Sequence, residues 1–230
     1  MQSLSAEAIT AAQARLLSDP TNLDALLLLG RAEMARQNFA EAVTLFTKAA
    51  QHHPSSHRVH FMLGFALYVE NDFRLALRAL DQASRLNPKD ANTILYRALS
   101  HAGLAEPNEA RPLFESALRL SRDPEIRLAY ARLELESGNR TQARTLIAQA
   151  LELAPTSREA HYEMARLKLD SDQAAQAATE AELALQLPGT GVTERQLHFL
   201  LTKAYTALGN TAKAAQHRKA FEAIPPRLIR

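Results

Sequence analysis

Cysteine and tryptophan are both absent from these 230 residues, and only seven residues are glycine. Without cysteine there are no disulfides, thiolate metal sites or cysteine nucleophiles, although a reducing cytosol and a bacterial periplasm both stay open. The few glycines form no phosphate-cradling loop. Charge of one sign is also lacking: 27 Lys and Arg against 25 Asp and Glu leave +2, far from the broad basic field of a nucleic-acid binder. No wholly apolar run is longer than Ala25–Leu29, well short of the roughly 18 residues of a membrane span. The opening MQSLSAEAIT carries Glu7 and no early Lys or Arg before an apolar stretch, so it lacks the layout of a secretory signal. The chain is read as cytoplasmic or, where a signal has been removed, periplasmic. What is present is 47% hydrophobic and 23% charged residues, enough to bury a substantial core.

That core is written as a repeat. Pro20, Pro54 and Pro88 fall 34 residues apart, each closing a helix-like segment that proline cannot continue. Ala42, Ala76, Ala110, Ala143, Ala177 and Ala214 recur at spacings of 34, 34, 33, 34 and 37. Ala49, Ala83, Ala117, Ala150 and Ala184 follow most of them by seven residues, two turns along the same helix face. Small residues recur in the preceding segments too, at Leu29-Gly30 and Leu63-Gly64. Each unit then breaks at a polar pair: Gln37-Asn38, Asn71-Asp72, Glu106-Pro107, Gly138-Asn139, Asp172-Gln173 and Gly209-Asn210. The pattern predicts helix, short turn, helix, six times over.

These residues resemble the tetratricopeptide repeat, with its 34-residue period, Leu-Gly pair, alanines and closing proline. Leu29, Gly30, Ala42, Phe46, Ala49 and Pro54 carry the likeness in the first repeat. The family's first-helix tryptophan is missing, and Leu26, His60, Ile94, Arg127, His161 and His198 stand in its slot. The resemblance implies an all-α solenoid, a right-handed superhelix of antiparallel helix pairs. Its parts are expected as a capping helix over 1–22, repeats near 23–56, 57–90, 91–123, 124–157, 158–191 and 195–226, and a tail over 227–230. Pro112 is tolerable inside its helix only near the first turn, which needs a start near Asn108. Pro188, Gly189 and Gly191 mark a candidate hinge before the last repeat.

Four histidines, His52, His53, His57 and His60, crowd into nine residues, a density that raises the question of a metal site. The register answers differently. His60 shares its slot with His161 and His198, so a packing role for the ring is the expectation, and no metal or other cofactor is assigned. The carboxylate pairs Glu134 with Glu136 and Glu180 with Glu182 are two apart, diverge on a helix, and read as solvated charges. No nucleophile, base or metal motif is present, so no catalytic residue is assigned.

In the resembled family the first helices line a concave groove that binds peptides or helices. Carried onto this register, the groove comprises Leu27, Arg31, Phe61, Phe65, Tyr68, Leu95, Leu99, Arg132, Tyr162, Arg166, Phe199 and Lys203, with Met34, Val69 and Ala102 beside them. The wall starts apolar and turns cationic from the fourth repeat. The family's carboxylate clamp for chaperone tails needs Lys, Asn and Arg where Leu27, Phe61, Phe65, Leu95 and Leu99 stand, so a co-chaperone role is not expected. The reading is a scaffold or adaptor holding a peptide or amphipathic helix of a partner protein, with acidic residues meeting the cationic half. Alternatives are a bacterial envelope assembly factor for pili, secretion or cytochrome maturation, or the substrate-recruiting arm of a larger enzyme.

Overall fold

The structure is a computed structural model that describes residues 5–225; the tail expected over 227–230 lies outside them. Among the described residues there are thirteen helices and no strand, in two compact units that divide between Ser121 and Arg122. The first unit holds α1 (Ala6–Ser18), α2 (Leu23–Ala35), α3 (Phe39–His52), α4 (His57–Val69), α5 (Phe73–Leu86), α6 (Ala91–Gly103) and α7 (Pro107–Leu120). The second holds α8 (Pro124–Glu136), α9 (Arg140–Leu153), α10 (Arg158–Leu169), α11 (Ala174–Gln186), α12 (Glu194–Ala207) and α13 (Thr211–Ala223). Each even-numbered helix pairs with the next, and within each unit each pair packs on its successor. The fold is therefore the all-α stack of helix pairs that the repeat implies.

The recurring alanines explain how the pairs close. Ala42, Ala49, Ala76, Ala83, Ala110, Ala117, Ala143, Ala150, Ala177 and Ala184 have no exposed surface, and a methyl group at these crossings lets helix axes approach closely. Gly30 and Gly64 go further. A Cβ on Gly30 would lie 2.4 Å from the Phe46 ring, and one on Gly64 would lie 2.5 Å from Leu80 Cγ. Both glycines are thus replaced by a large side chain from the facing helix, and Phe46 and Leu80 fill the space with no exposure of their own.

The turn inside each pair is built once and used six times. Gln37, Asn71, Ala105, Gly138, Asp172 and Gly209 all have positive φ, between 57° and 81°. The following residue's N–H bonds the carbonyl five residues back, as in Asn38 to Glu33, Asp72 to Leu67 and Asn139 to Glu134. This is a Schellman ending, which turns the chain sharply while satisfying the last carbonyls. In the third repeat the turn falls at Ala105-Glu106, one residue ahead of the polar pair read from the sequence. α7 accordingly starts at Pro107 rather than Asn108, and Pro112 lies in its second turn, where its missing N–H leaves the Asn108 carbonyl without its helical donor.

Between pairs, side chains cap the incoming helix: Asn22, Asp90, Asp123, Ser157 and Thr193 each accept a hydrogen bond from a first-turn N–H. The stretch 187–193, read as a hinge, is pinned at two points. Val192 is buried in the core around α11 and α12, and Gly191 N–H donates to Glu159 Oε1 at 3.0 Å. Among the described residues, no helix is long and apolar enough to cross a membrane.

Candidate functional site

In the first unit, one face of α4 and α6 is a ladder of rings. Phe61 and Phe65, four residues apart and so one turn apart on α4, stack with centroids 6.4 Å apart and planes 8° from parallel. Tyr96 of α6 meets them edge-on, at 4.9 Å from Phe65 and 5.9 Å from Phe61, and also meets Tyr68 at 5.3 Å. His57 extends the stack beyond Phe61, at 6.3 Å. Edge-to-face pairs of this kind are favourable beyond the area they bury. Burial, with Tyr68 beside it, raises the Tyr96 hydroxyl above the usual phenol range, so it stays protonated. The ladder is only half-buried.

Phe65 also faces a cleft of about 1010 Å³ between α1, α2 and α4. Ile9, Met34, Phe39, Met62 and Val69 complete its apolar lining, and Arg31 and Arg36 add two cations. The structure therefore brings together Arg31, Met34, Phe65 and Val69 from the expected groove, and sets Phe61 and Tyr68 beside Phe65 in the ring ladder. Leu95 and Leu99 lie half-buried on α6. Leu27 is different. At 2% exposed it belongs to the core with Leu26, Ala42, Phe46 and Val59, and it has no surface left to offer a groove.

The second unit corrects the cationic reading. Arg132 Nε and Arg166 Nη1 both donate to Glu163, at 2.7 and 2.9 Å, and Glu163 is only 2% exposed. Two charges assigned to a partner are thus shared with a buried carboxylate, leaving one net positive charge across the three. The Arg166 guanidinium also lies 5.8 Å from the Tyr162 ring centre, a cation–π arrangement. Phe199 is 46% exposed, with Lys203 Nζ 4.7 Å over its ring.

Of the four carboxylates read as solvated, Glu134 and Glu180 are not. Glu134 is buried and bonded by Asn139. Glu180 accepts from Lys168 and His161, both at 2.7 Å; burial pushes its pKa up, but these bonds outweigh that and hold it below the usual range. Glu182 accepts from Tyr205 and Lys213, and the Tyr205 bond foremost lowers its pKa. Only Glu136 of the four is exposed.

The histidines serve the turns. His60 Nε2 donates to the Pro54 carbonyl at 2.8 Å, and His161 Nε2 to the Pro155 carbonyl at 3.0 Å, each reaching back six residues to the turn that precedes its helix. His53 binds the Thr21 carbonyl, and His57 the Thr93 hydroxyl. His198 pairs instead with His217, Nδ1 to Nδ1, at 3.0 Å. Among the described residues, no three His, Asp or Glu side chains converge on a common point suited to a metal.

Sequence reasoning missed Tyr96 and Glu163. Tyr96 follows Leu95 by one position, a rotation of about 100° that periodicity alone does not resolve. Glu163 had a signal: an acid three residues before Arg166, with Arg132 and Arg166 34 residues apart on the same face of successive repeats.

No curated protein sequence matches this chain significantly. Among solved structures, PilW, a type IV pilus biogenesis factor, aligns with a TM-score of 0.78 at 19% identity over 90% of this chain and 95% of its own. A tetratricopeptide repeat protein from Parabacteroides merdae aligns at 0.77, with 19% identity over 96% and 87%. In the APC/C Cut9–Hcn1 structure the match reaches 0.74 at 18% identity; it covers 94% of this chain but only 42% of that one, so this chain spans less than half its length. At such identities the likeness speaks of fold. Family models described as Tetratricopeptide repeat match residues 2–57, 33–99 and 124–167, together more than half of the sequence. With six helix pairs in the matching period, this chain belongs to the tetratricopeptide repeat family.

Proposed function

We propose that this protein is a non-catalytic adaptor that holds an apolar segment of a partner protein on its first unit. The observation that carries the reading is the half-buried ladder of Phe61, Phe65, Tyr68 and Tyr96 beside the apolar cleft that Phe65 lines. A monomer seldom leaves rings of this size assembled at its surface without a use, since aromatic anchors dominate interface energetics. An amphipathic helix or extended peptide with bulky apolar residues fits such a face, with Arg31 placed to meet an acidic neighbour. Leu95 and Leu99 extend the apolar area. In the second unit Arg132, Tyr162, Arg166, Phe199 and Lys203 offer a more polar surface, where Lys203 and the one unneutralised charge around Glu163 favour acidic residues. Family membership supports the binding class: repeat proteins of this kind generally act as interaction scaffolds rather than catalysts.

The test is affinity capture from extracts of the source organism, followed by titration of the recovered partner's segment. Phe61→Ala with Phe65→Ala should weaken that binding at least tenfold while the helical signal and a cooperative melt, at a somewhat lower midpoint, persist. A partner that binds the double variant as tightly as the wild type would sink the reading.

A role in bacterial envelope assembly is the second reading. It is favoured by the near full-length alignment with the pilus biogenesis factor PilW in both directions. Loss of surface pili on deletion, restored by the wild type but not by the Phe61/Phe65 double variant, would support both readings together. Normal pili, secretion and cytochrome content in the deletion strain would remove the second and leave the first.

A further inference from the structure

The second unit contains a cleft of about 830 Å³ where the 187–193 linker crosses from α11 to α12 and the end of α13 returns to α12. Val192, Phe199, Phe221, Ile224 and Pro225 supply an apolar wall. Arg195 holds that wall together: its guanidinium lies 3.9 Å over the Phe221 ring, and its Nε donates to the Ile224 carbonyl at 3.0 Å. On the other side of the cleft is Arg158, the first residue of α10.

Arg158 departs from every charge pairing described above. It is 7% exposed, yet among the described residues no carboxylate forms an ion pair with it. Its Nη1 reaches the Leu187 carbonyl at a long 3.4 Å, and among the described residues neither Nε nor Nη2, both buried, has a hydrogen-bond partner. The linker backbone lies directly on its stem, since a Cβ on Gly189 would come within 2.9 Å of Arg158 Cβ and 3.0 Å of Cδ. A guanidinium cannot escape the cost of burial by losing its proton; neutral oxygens satisfy its donors in part, but an anion also offsets its charge. The same unit gives its buried Glu163 two arginines; among the described residues Arg127 Nε is the other buried guanidinium nitrogen without a partner, but Arg158 has two and lines a cleft.

We propose that this cleft binds a carboxylate joined to an apolar body, with the carboxylate on Arg158 and the body against Phe199, Phe221 and Ile224. The charge should be single. Glu194 lines the cleft, and Glu159 is held beside the linker by Gly191 N–H, so a dianionic phosphate meets two carboxylates that a monoanion tolerates better. A volume near 830 Å³ suits a ligand of the size of a short acyl or aryl chain, or the last residues of a peptide. The site is separate from the ring ladder of the first unit; it shares Phe199 with the more polar surface of the second unit but does not depend on the adaptor reading.

The probes are 4-phenylbutyrate and its neutral amide, and a short peptide ending in phenylalanine with a free or an amidated C-terminus. Calorimetry and amide chemical-shift changes report on binding. At least one acid should saturate with a Kd below about 1 mM, its amide binding at least tenfold more weakly, and shifts should centre on 187–199. Arg158→Gln should weaken the acid about tenfold or more, and Phe199→Ala, at an exposed position, should weaken it several-fold without loss of fold. Saturation by phenylbutyrate alone assigns a small carboxylic acid; saturation by the peptide alone assigns a chain terminus. The proposal fails if neither acid saturates, or if acid and amide bind equally. It also fails if a folded Arg158→Gln binds the acid as the wild type does. Should that variant not fold, the acid and amide comparison and Phe199→Ala decide the matter.

Discussion

The two units use one helical scaffold with opposite chemistry on equivalent helices. Counted from the repeat starts at 23, 57, 91, 124, 158 and 195, the ninth position holds Arg31, Phe65 and Leu99 in the first unit and Arg132, Arg166 and Lys203 in the second. Around Phe65 the first unit stacks rings and leaves them half-exposed. Around Arg132 and Arg166 the second unit closes its charges on Glu163, then repeats the device at Lys168–Glu180–His161 and at Lys213–Glu182. Apolar area left at a surface is available to a partner, because its gain from burial is still to be made. A charge already bonded to a carboxylate has little left to give. An outward-facing cation in a sequence is therefore weaker evidence of a binding surface than an outward-facing ring.

The largest expected effect separates fold from face within the first unit. Gly64→Leu must displace Leu80, and the Ala76 carbonyl oxygen lies only 3.2 Å from the new Cβ, so about 3 kcal/mol of stability should be lost. Phe65→Ala, one residue along but half-buried in the ladder, should cost about 1 kcal/mol. Chemical denaturation of both variants measures the gap. Equal and severe losses would make Phe65 a core residue and remove the contrast between ladder and scaffold.

Next in size is Glu163→Gln, which probes whether the second unit's charges are structural. The amide keeps the shape but offers one oxygen to two arginines, leaving one donor at an unfavourable NH₂ group. Because Arg132 and Arg166 are each 43% exposed and regain water, the loss should be about 1–2 kcal/mol rather than the cost of a fully buried pair. Retained stability, judged from the urea midpoint, would return both arginines to the pool of charges free for a partner.

The histidine pair gives a smaller, pH-dependent effect. Burial lowers the pKa of His198, and burial together with His198 lowers that of His217, where Lys213 lowers it further; Glu194 at His198 and Glu182 at His217 pull the other way. A depressed histidine favours the neutral folded form, so its contribution is complete above the unfolded value near 6.5 and is lost as pH falls through the folded one. Nδ1 atoms 3.0 Å apart share one proton, and a second forces them apart. The wild type should therefore lose thermal stability from pH 7 to 5 more steeply than His217→Gln. Parallel slopes for the two proteins would deny the pair any role in acid sensitivity.

The repeat was legible because spacing survives every substitution that keeps a residue small: Ala42 through Ala184 mark buried crossings whatever lies between them. The turns were legible as polar pairs, but not at Ala105, which has neither a glycine's freedom nor a polar side chain to announce it. Which outward residues form a site was less legible. Leu27, Phe61 and Leu95 share one register position, yet one is core, one a ladder rung and one a half-buried leucine, because neighbouring side chains decide how deeply each sits. Arg158 carries no sequence signal at all, since the lack of a partner is a property of three-dimensional packing.

The smallest effect concerns the turns, where the units differ again. The first unit places Gln37, Asn71 and Ala105 in the left-handed region, whereas the second uses glycine at two of its three turns, Gly138 and Gly209. An L-residue there costs roughly 1 kcal/mol, and alanine has no polar side chain to offset it. Gly138 has nothing within 4 Å of an added Cβ, so Gly138→Ala carries the backbone cost alone and should destabilise by about 1 kcal/mol. Ala105→Gly relieves the strain but gives the unfolded chain more freedom, so the net gain should be only about 0.5 kcal/mol. Opposite signs for the two substitutions, measured by denaturant midpoint at fixed pH, would show that the six turns share one backbone requirement met with unequal economy. A loss of stability in both would mean that Ala105 is retained for its packing, and that the turns of the two units are not equivalent.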